Sequence, residues 1–373
     1  MINSRRYFPL GKAYGQAFCN REEETKKLIG NIQSGKHTFI VAPRRYGKSS
    51  LCEKAFQNCE LENSTVDFHL AVTEKDVERL ILKGVTELIG KSISKVDKLT
   101  SIIKITVKSL NPKFNITTGP LTLELEASSQ SSPAENISEA LLLLDRLLSE
   151  KDKQAVILFD EFQEVGVVAK GKGVEGAIRH SAQEMENLSI VFSGSNPHLI
   201  RNMFENERRP LYKLCKKITL NRITVDHYQK HLNKAANSLW GQNLSNESFN
   251  TIMDLTERHP YYVNFLCDEI WSESAKSPNI NDVNTAWETI VGSEKSDLIK
   301  DFLNLSDNQR KLLIFMANYD SSEIFSNQSS IEMGIPSGSI NRVVSTLIEK
   351  DFIEHNGSQY SLVVPAYNTL LKK

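Results

Sequence analysis

Nowhere does this chain of 373 residues stay apolar for long. Its longest leucine run, 140–144, stops at Asp145, far short of the roughly 20 residues a membrane span requires, so no membrane contact is expected. Residues 1–19 carry Arg5, Arg6 and Lys12 but no apolar core of leader-peptide length, and no secretory leader is expected. Cysteine is sparse. The five present (Cys19, Cys52, Cys59, Cys215 and Cys267) are odd in number and lack C-x-x-C spacing, which argues against a disulfide framework or a zinc site and points to a reduced, cytoplasmic setting. Net charge is missing too: 45 Lys and Arg stand against 46 Asp and Glu, so the chain is no global polycation and any nucleic-acid contact must be local. An apolar share of 40% suffices for cores, and the length predicts two or three domains.

What is present begins at 42–51, Ala-Pro-Arg-Arg-Tyr-Gly-Lys-Ser-Ser-Leu, which ends a strand-like run (38–41) and opens a helix-like one. This pattern predicts a phosphate-binding loop. The successive N–H groups of Arg44, Arg45, Tyr46, Gly47, Lys48, Ser49 and Ser50 would wrap a phosphate at the helix N-terminus, with Lys48 bridging β- and γ-phosphates and Ser49 ligating Mg²⁺. Ala42 stands where the usual pattern begins with glycine, but Gly47, which must approach the phosphate closely, is in place. An NTPase built on such a loop also needs a carboxylate at the end of a neighbouring buried strand to hold the water shell of Mg²⁺, and often a second to activate water. Residues 155–161, Ala-Val-Ile-Leu-Phe-Asp-Glu, supply Asp160 and Glu161 after five apolar residues, the pattern of a parallel strand buried on both faces.

Around these motifs helix and strand patterns alternate. A helix from 21, capped by Asn20 and ended by Gly35, precedes the first strand; a helix at 50–58, a strand at 64–71 and helices at 73–91 and 137–148 follow. After the acidic strand come a helix at 175–187 and a strand at 189–192, which together predict a parallel sheet with helices on both faces. Residues 92–134 read as an excursion or partly exposed hairpin inserted into this domain, with Lys95, Lys98, Lys104, Lys108 and Lys113 ahead of strict apolar/polar alternation at 121–126. Ser195 and Asn196 follow a strand at the edge where ligands of open α/β sheets bind, so either is a candidate to sense γ-phosphate or position water; alternatively Asn196 caps the helix at 197–204. Arg208 and Arg209 are candidates to neutralise transition-state charge, in cis or in trans, or else surface ion-pair residues.

From 224 to about 291 the chain has helical stripes at 228–239, 248–255, 261–271 and 283–290. Between two of them His259 precedes Pro260, which suits a first helical turn; His259 is expected to be exposed enough to reach a nucleotide, with a structural role, the commoner one for a lone loop histidine, as the alternative. The last segment reads as helices at 308–318, 328–333 and 339–350 and a hairpin around Asn356-Gly357, a winged helix-turn-helix layout. From Leu305 onward six Lys and Arg stand against seven Asp and Glu, which favours contact with protein over tight DNA binding.

On the blocks at 17–24, 42–51, 157–162, 192–196 with 208–212, and His259-Pro260-Tyr261-Tyr262, the chain resembles the prokaryotic AAA-type ATPases of the STAND and origin-recognition relatives, the archaeal-ATPase-like group. The resemblance implies that Asn20, Arg21 and Glu22 frame adenine, that Lys48, Ser49 and Asp160 hold MgATP, that Glu161 activates water, and that the turn at His259 and Pro260 closes a helical lid on the nucleotide. Where the family usually shows glycine before His-Pro, this chain has Arg258. The expectation is an α/β fold, a P-loop NTPase (AAA-type) parallel-sheet domain at 1–222, followed by a helical lid domain at 223–303 and a winged helix at 304–373. It would bind ATP or ADP with Mg²⁺ and hydrolyse slowly, as a switch controlling a partner protein or its own assembly. Two alternatives stand beside it: an initiator- or regulator-like DNA-binding ATPase, and a small-molecule kinase, against which the paired Asp160 and Glu161 weigh.

Overall fold

The computed structural model describes residues 6–92, 114–118, 123–127, 131–169, 173–273, 275–319, 321–356 and 359–372. The lysines expected at 95, 98, 104, 108 and 113, and the hairpin turn at Gly357, lie outside these. The chain divides into two compact units: Arg21–Ala42 with Leu51–Leu220, and Met1–Asn20 with Pro43–Ser50 and Asn221–Lys373.

The first unit is built on a five-stranded parallel sheet. Its strands are β1 (Thr38–Val41), β2 (Glu62–Asp67), β5 (Ala155–Asp160), β6 (Leu188–Gly194) and β7 (Lys216–Thr219), in the order β2-β5-β6-β1-β7. The three inner strands are short apolar runs buried along nearly their whole length, as a sheet covered on both faces demands. Parallel strands need crossovers. These are α2 (Lys48–Cys59), α3 (Glu74–Ser92), α4 (Pro133–Ser149), α5 (Gln163–Val168), α6 (Gly173–Glu184) and α7 (Pro197–Glu205), while α1 (Glu22–Gln33) precedes β1. Between α3 and α4 the backbones of β3 (Phe114–Thr118) and β4 (Leu123–Ala127) pair antiparallel, in line with the hairpin expected there.

Buried polar groups pin the sheet. His37, just before β1, accepts from Ile190 N on Nδ1 at 3.0 Å and donates from Nε2 to Ala182 O at 2.8 Å, while burial lowers its pKa and keeps it neutral. Asp145 of α4 accepts from Asn187 N and Leu188 N at 2.7 and 2.9 Å, tying down the start of β6.

Element bounds differ from expectation in instructive places. The strand expected at 64–71 is Glu62–Asp67, because the chain turns at Phe68 and Ala71 N bonds Phe68 O. Asn20 does not occupy the cap position of α1: that position is Arg21, at φ 72°, which makes no side-chain cap bond. The helix α4 starts four residues early, at Pro133, because Ser132 and Glu135 form a reciprocal capping box.

The second unit is helical: α8 (Val225–Trp240), α9 (Asn246–Thr256), α10 (Pro260–Glu273), α11 (Ile280–Leu303), α12 (Asp307–Asn318), α13 (Asn327–Met333), α14 (Ser337–Glu349), β8 (Ile353–Asn356), β9 (Gln359–Leu362) and α15 (Ala366–Leu370). The fourth helical stripe extends far past 290, to Leu303, and joins the middle of the unit to its end. One apolar core runs through both, from Tyr228 and Leu266 to Leu312, Leu347 and Tyr367. Trp287 Nε1 donates to Thr369 Oγ1 at 2.8 Å and the Tyr367 hydroxyl to Leu298 O at 3.0 Å, fastening α15 to α11. Among the described residues no helix is long and apolar enough to cross a membrane.

Candidate nucleotide site

The carboxyl end of β5 turns sharply. Glu161 takes φ 51°, a left-handed conformation uncommon for a side-chain-bearing residue, while Phe162 behind it is fully buried against Phe192, 4.7 Å between ring centroids. The buried phenyl anchors the turn and the strained residue presents its carboxylate. Three donors converge on Glu161 Oε2: Gln163 Nε2 at 2.6 Å, Ser195 Oγ at 2.7 Å and Ser195 N at 3.2 Å. Asp160 Oδ1 accepts from Glu161 N at 3.1 Å and from the hydroxyl of Ser193. The register aligns Phe159 with Phe192 and Val41 with Gly194, so the carboxyl ends of β1, β5 and β6 share one edge of the sheet.

Beyond β6, Asn196 Oδ1 accepts from Leu199 N at 2.9 Å and caps α7, the helix-capping alternative. Arg209 is held by Glu175, a carboxylate whose side chain is 1% exposed: Nε donates to Oε2 at 3.2 Å and Nη2 to Oε1. Arg208 lies exposed next to it, its amide on Asn206 Oδ1 at 3.0 Å. The two adjacent arginines therefore have different environments.

The loop at 43–50 belongs to the second unit. Arg45 at φ 63° and Gly47 at φ 88° bend the backbone as a phosphate-wrapping loop requires. Lys48 is nearly buried and donates from Nζ to Pro43 O at 2.9 Å, and Ser50 Oγ accepts from Ala13 N at 3.0 Å. Arg45 lies over the Tyr261 ring, 3.9 Å from its centroid, and 3.6 Å from Glu294, which also accepts from the hydroxyls of Tyr261 (3.2 Å) and Tyr262 (2.6 Å).

Tyr46 is 1% exposed, with its hydroxyl 3.0 Å from both oxygens of Glu354. Arg222 lies across the pair, Nε donating to Glu354 Oε1 at 2.7 Å and to the Tyr46 hydroxyl at 3.2 Å. Its other nitrogens reach Glu257 Oε2 and O, at 2.7 and 2.8 Å, and Leu362 O at 2.7 Å. Burial alone would lower the pKa of Arg222, but Tyr46, Glu354 and Glu257 raise it above its ordinary value and hold it charged. Asp351 carries a carboxyl that burial pushes up to about 7 against the pull of Lys48 and Arg44.

His259 corrects an expectation. It is 2% exposed rather than open to a ligand, edge-on to Tyr46 and Tyr262, and among the described residues its Nδ1 has no hydrogen-bond partner. Burial, with Arg222 and Arg45 nearby, lowers its pKa to about 3. The turn before it places both Glu257 (φ 46°) and Arg258 (φ 62°) in the left-handed region, the conformation a glycine before His-Pro would take at lower cost. Pro260 opens α10, as expected.

Residues not anticipated are Gln163, Arg222, Glu257, Glu294, Asp351 and Glu354. Gln163 follows the acidic pair by two residues and was open to the same motif logic. Glu257 stands two residues before His259 in the turn already singled out, while Arg222, Glu294, Asp351 and Glu354 lie far from the motifs and nothing in their local pattern marks them.

The model of a family described as an ATPase domain predominantly from Archaea matches residues 18–266. Among solved structures, a Walker-type ATPase of Pyrococcus abyssi is similar, at 19% identity and TM-score 0.66, over 96% of this chain and 97% of that one. The Aeropyrum pernix ORC2 protein, solved as ADPNP and ADP complexes, is similar at 11% identity and TM-score 0.59, over 99% and 96%. The ORC1 protein of the same organism, solved in complex with DNA, reaches 13% identity and TM-score 0.51, over 99% and 96%. No curated protein matches this chain in sequence.

Proposed function

This chain belongs to the family of ATPase domains found predominantly in Archaea, and on that premise we propose that it is a slow ATP-driven switch with a helical lid and a terminal winged helix. ATP is held by the N–H groups of residues 44–50, with Lys48 on its phosphates; Ser49 and Asp160 hold Mg²⁺, and Asn20 and Arg21 border the adenine. A serine hydroxyl and a carboxylate are hard oxygen donors, the set that suits Mg²⁺. The ion would neutralise phosphate charge, while Glu161 orients and deprotonates the attacking water. Arg208, on an exposed segment, is the better placed of the two arginines to meet transition-state charge.

The observation that carries this assignment is the common edge of β1, β5 and β6. Ligands of open α/β sheets lie off the carboxyl ends of strands, and here that edge supplies Asp160, Glu161 and Ser195 and leads through Ala42 into the loop. Titration calorimetry with ATP and Mg²⁺ tests it: wild type takes up one nucleotide per chain and Lys48→Ala takes up none. Absence of uptake by folded wild type rejects the assignment.

The terminal helices and hairpin, with six cations against seven anions from Leu305 onward, suit a protein partner or a second copy of the chain better than phosphate-rich DNA. The DNA-binding alternative predicts affinity that falls steeply with salt; no measurable binding to duplex DNA at low salt removes it.

A further inference from the structure

A loop that binds polyphosphate gains by facing cations and amides. Here the terminal segment brings two carboxylates to it. Glu354 of β8 takes the hydroxyl of the loop's Tyr46 on both oxygens, and Arg222 clamps the pair at 2.7 and 3.2 Å while its third nitrogen reaches the carbonyl of Leu362 on β9. Asp351, just before β8, has Lys48 and Arg44 as its attracting charges. The Tyr46 ring is sealed on another side by His259. A buried hydroxyl, carboxylate and guanidinium that satisfy one another form a directional joint: moving the loop without moving the hairpin would strip buried partners from all three.

We propose that Arg222 and Glu354 are positioning residues that act through Tyr46 to hold the phosphate-binding loop in a state of reduced nucleotide affinity, so that phosphate binding and release of the β8–β9 hairpin are one event. The sign follows from two facts. Lys48 Nζ is engaged by Pro43 O, an interaction it must exchange for phosphate. Asp351 of the terminal segment also has Lys48 and Arg44 as its attracting charges, the same cations a triphosphate must draw on. By reciprocity, whatever the joint costs nucleotide affinity, bound nucleotide costs the joint.

The inference rests on the ATPase assignment, and the experiment separates the two. ATP affinity is measured by calorimetry on wild type, Glu354→Gln and the milder Tyr46→Phe, which removes one hydroxyl from a ring that stays packed. Amide hydrogen exchange of 353–362 is followed in each protein with and without ATP and Mg²⁺. Both variants are expected to bind ATP at least threefold more tightly than wild type. Nucleotide is expected to speed exchange of the hairpin amides in wild type, and these amides should already exchange fast in the variants without it. A wild type that takes up no nucleotide removes the ATPase assignment and this inference with it. Normal uptake with affinities unchanged or weaker in both variants, or hairpin exchange indifferent to nucleotide in wild type, overturns the inference alone.

Discussion

The imidazole of His259 stands edge-on to the ring of Tyr46, 4.9 Å between centroids and 83° between planes. A residue from the turn before α10 and one from the phosphate-binding loop thus bury each other. The arrangement works only while the imidazole is neutral, since Arg222 and Arg45 oppose a charge there.

Acid should therefore weaken the fold through His259. Its folded pKa of about 3 lies below the ordinary 6.5, so between these values the unfolded chain binds the extra proton and stability falls as pH drops. Asp351 does the opposite. Its folded pKa of about 7 lies above the ordinary 3.8, so stability contributed by its proton is full below 3.8 and lost as pH rises towards 7. The two slopes, up to about 1.4 kcal/mol per pH unit each, largely cancel between pH 4 and 6.5. Urea unfolding of Asp351→Asn should show a steeper loss on acidification than wild type, and His259→Leu a shallower one. Parallel pH profiles in all three proteins would contradict this.

Glu161→Gln should bind ATP as wild type does and hydrolyse it about 100-fold or more slowly, as expected for loss of a general base. Phosphate release under single-turnover conditions measures it. A wild-type rate in the variant would remove Glu161 from the chemistry.

Gly194→Ala tests the donors on that carboxylate. A Cβ at residue 194 would clash with Gln163 Oε1, so the Gln163 side chain must shift, and it is this side chain that donates to Glu161. A flexible amide moves cheaply, so stability should drop by only about 1–2 kcal/mol. Hydrolysis should fall while ATP affinity holds; a turnover number equal to wild type would show that Gln163 does not orient Glu161.

Arg209→Ala should destabilise the protein by about 3 kcal/mol, because it takes the bidentate partner from the buried carboxylate of Glu175. Arg208→Ala should change stability by less than about 0.5 kcal/mol, as exposed substitutions do, and lower turnover. Chemical denaturation and steady-state hydrolysis of the two variants decide between a structural and a catalytic arginine. Equal stability losses would contradict their division.

Much of the first unit is legible in its residues. The apolar runs at 38–41 and 155–159 could be nothing but buried strands, and Asp160 at the end of one follows from where the run stops. Bounds failed where a tertiary constraint intervened: the strand β2 ends early where the chain turns at Phe68, and α11 continues to Leu303 because Leu298 has a buried place in the core. The exposure expected of His259 failed for the same reason. Local sequence shows a polar turn, but what packs over a turn comes from elsewhere in the chain.

The residues alone determined the chemistry on offer: an apolar strand, a glycine before a lysine and a hydroxyl, and a second strand ending in acids are local features whose physics needs no distant partner. Only the tertiary structure decided how that chemistry is held. Arg222, Glu257 and Glu354 stand between 35 and 132 residues from one another in sequence, and they join Tyr46 in one network because the fold brings them together, with Arg222 and Tyr46 buried and Glu257 at the partly exposed margin. Desolvation and pairing are properties of a place in space, and spacing along the chain does not encode them.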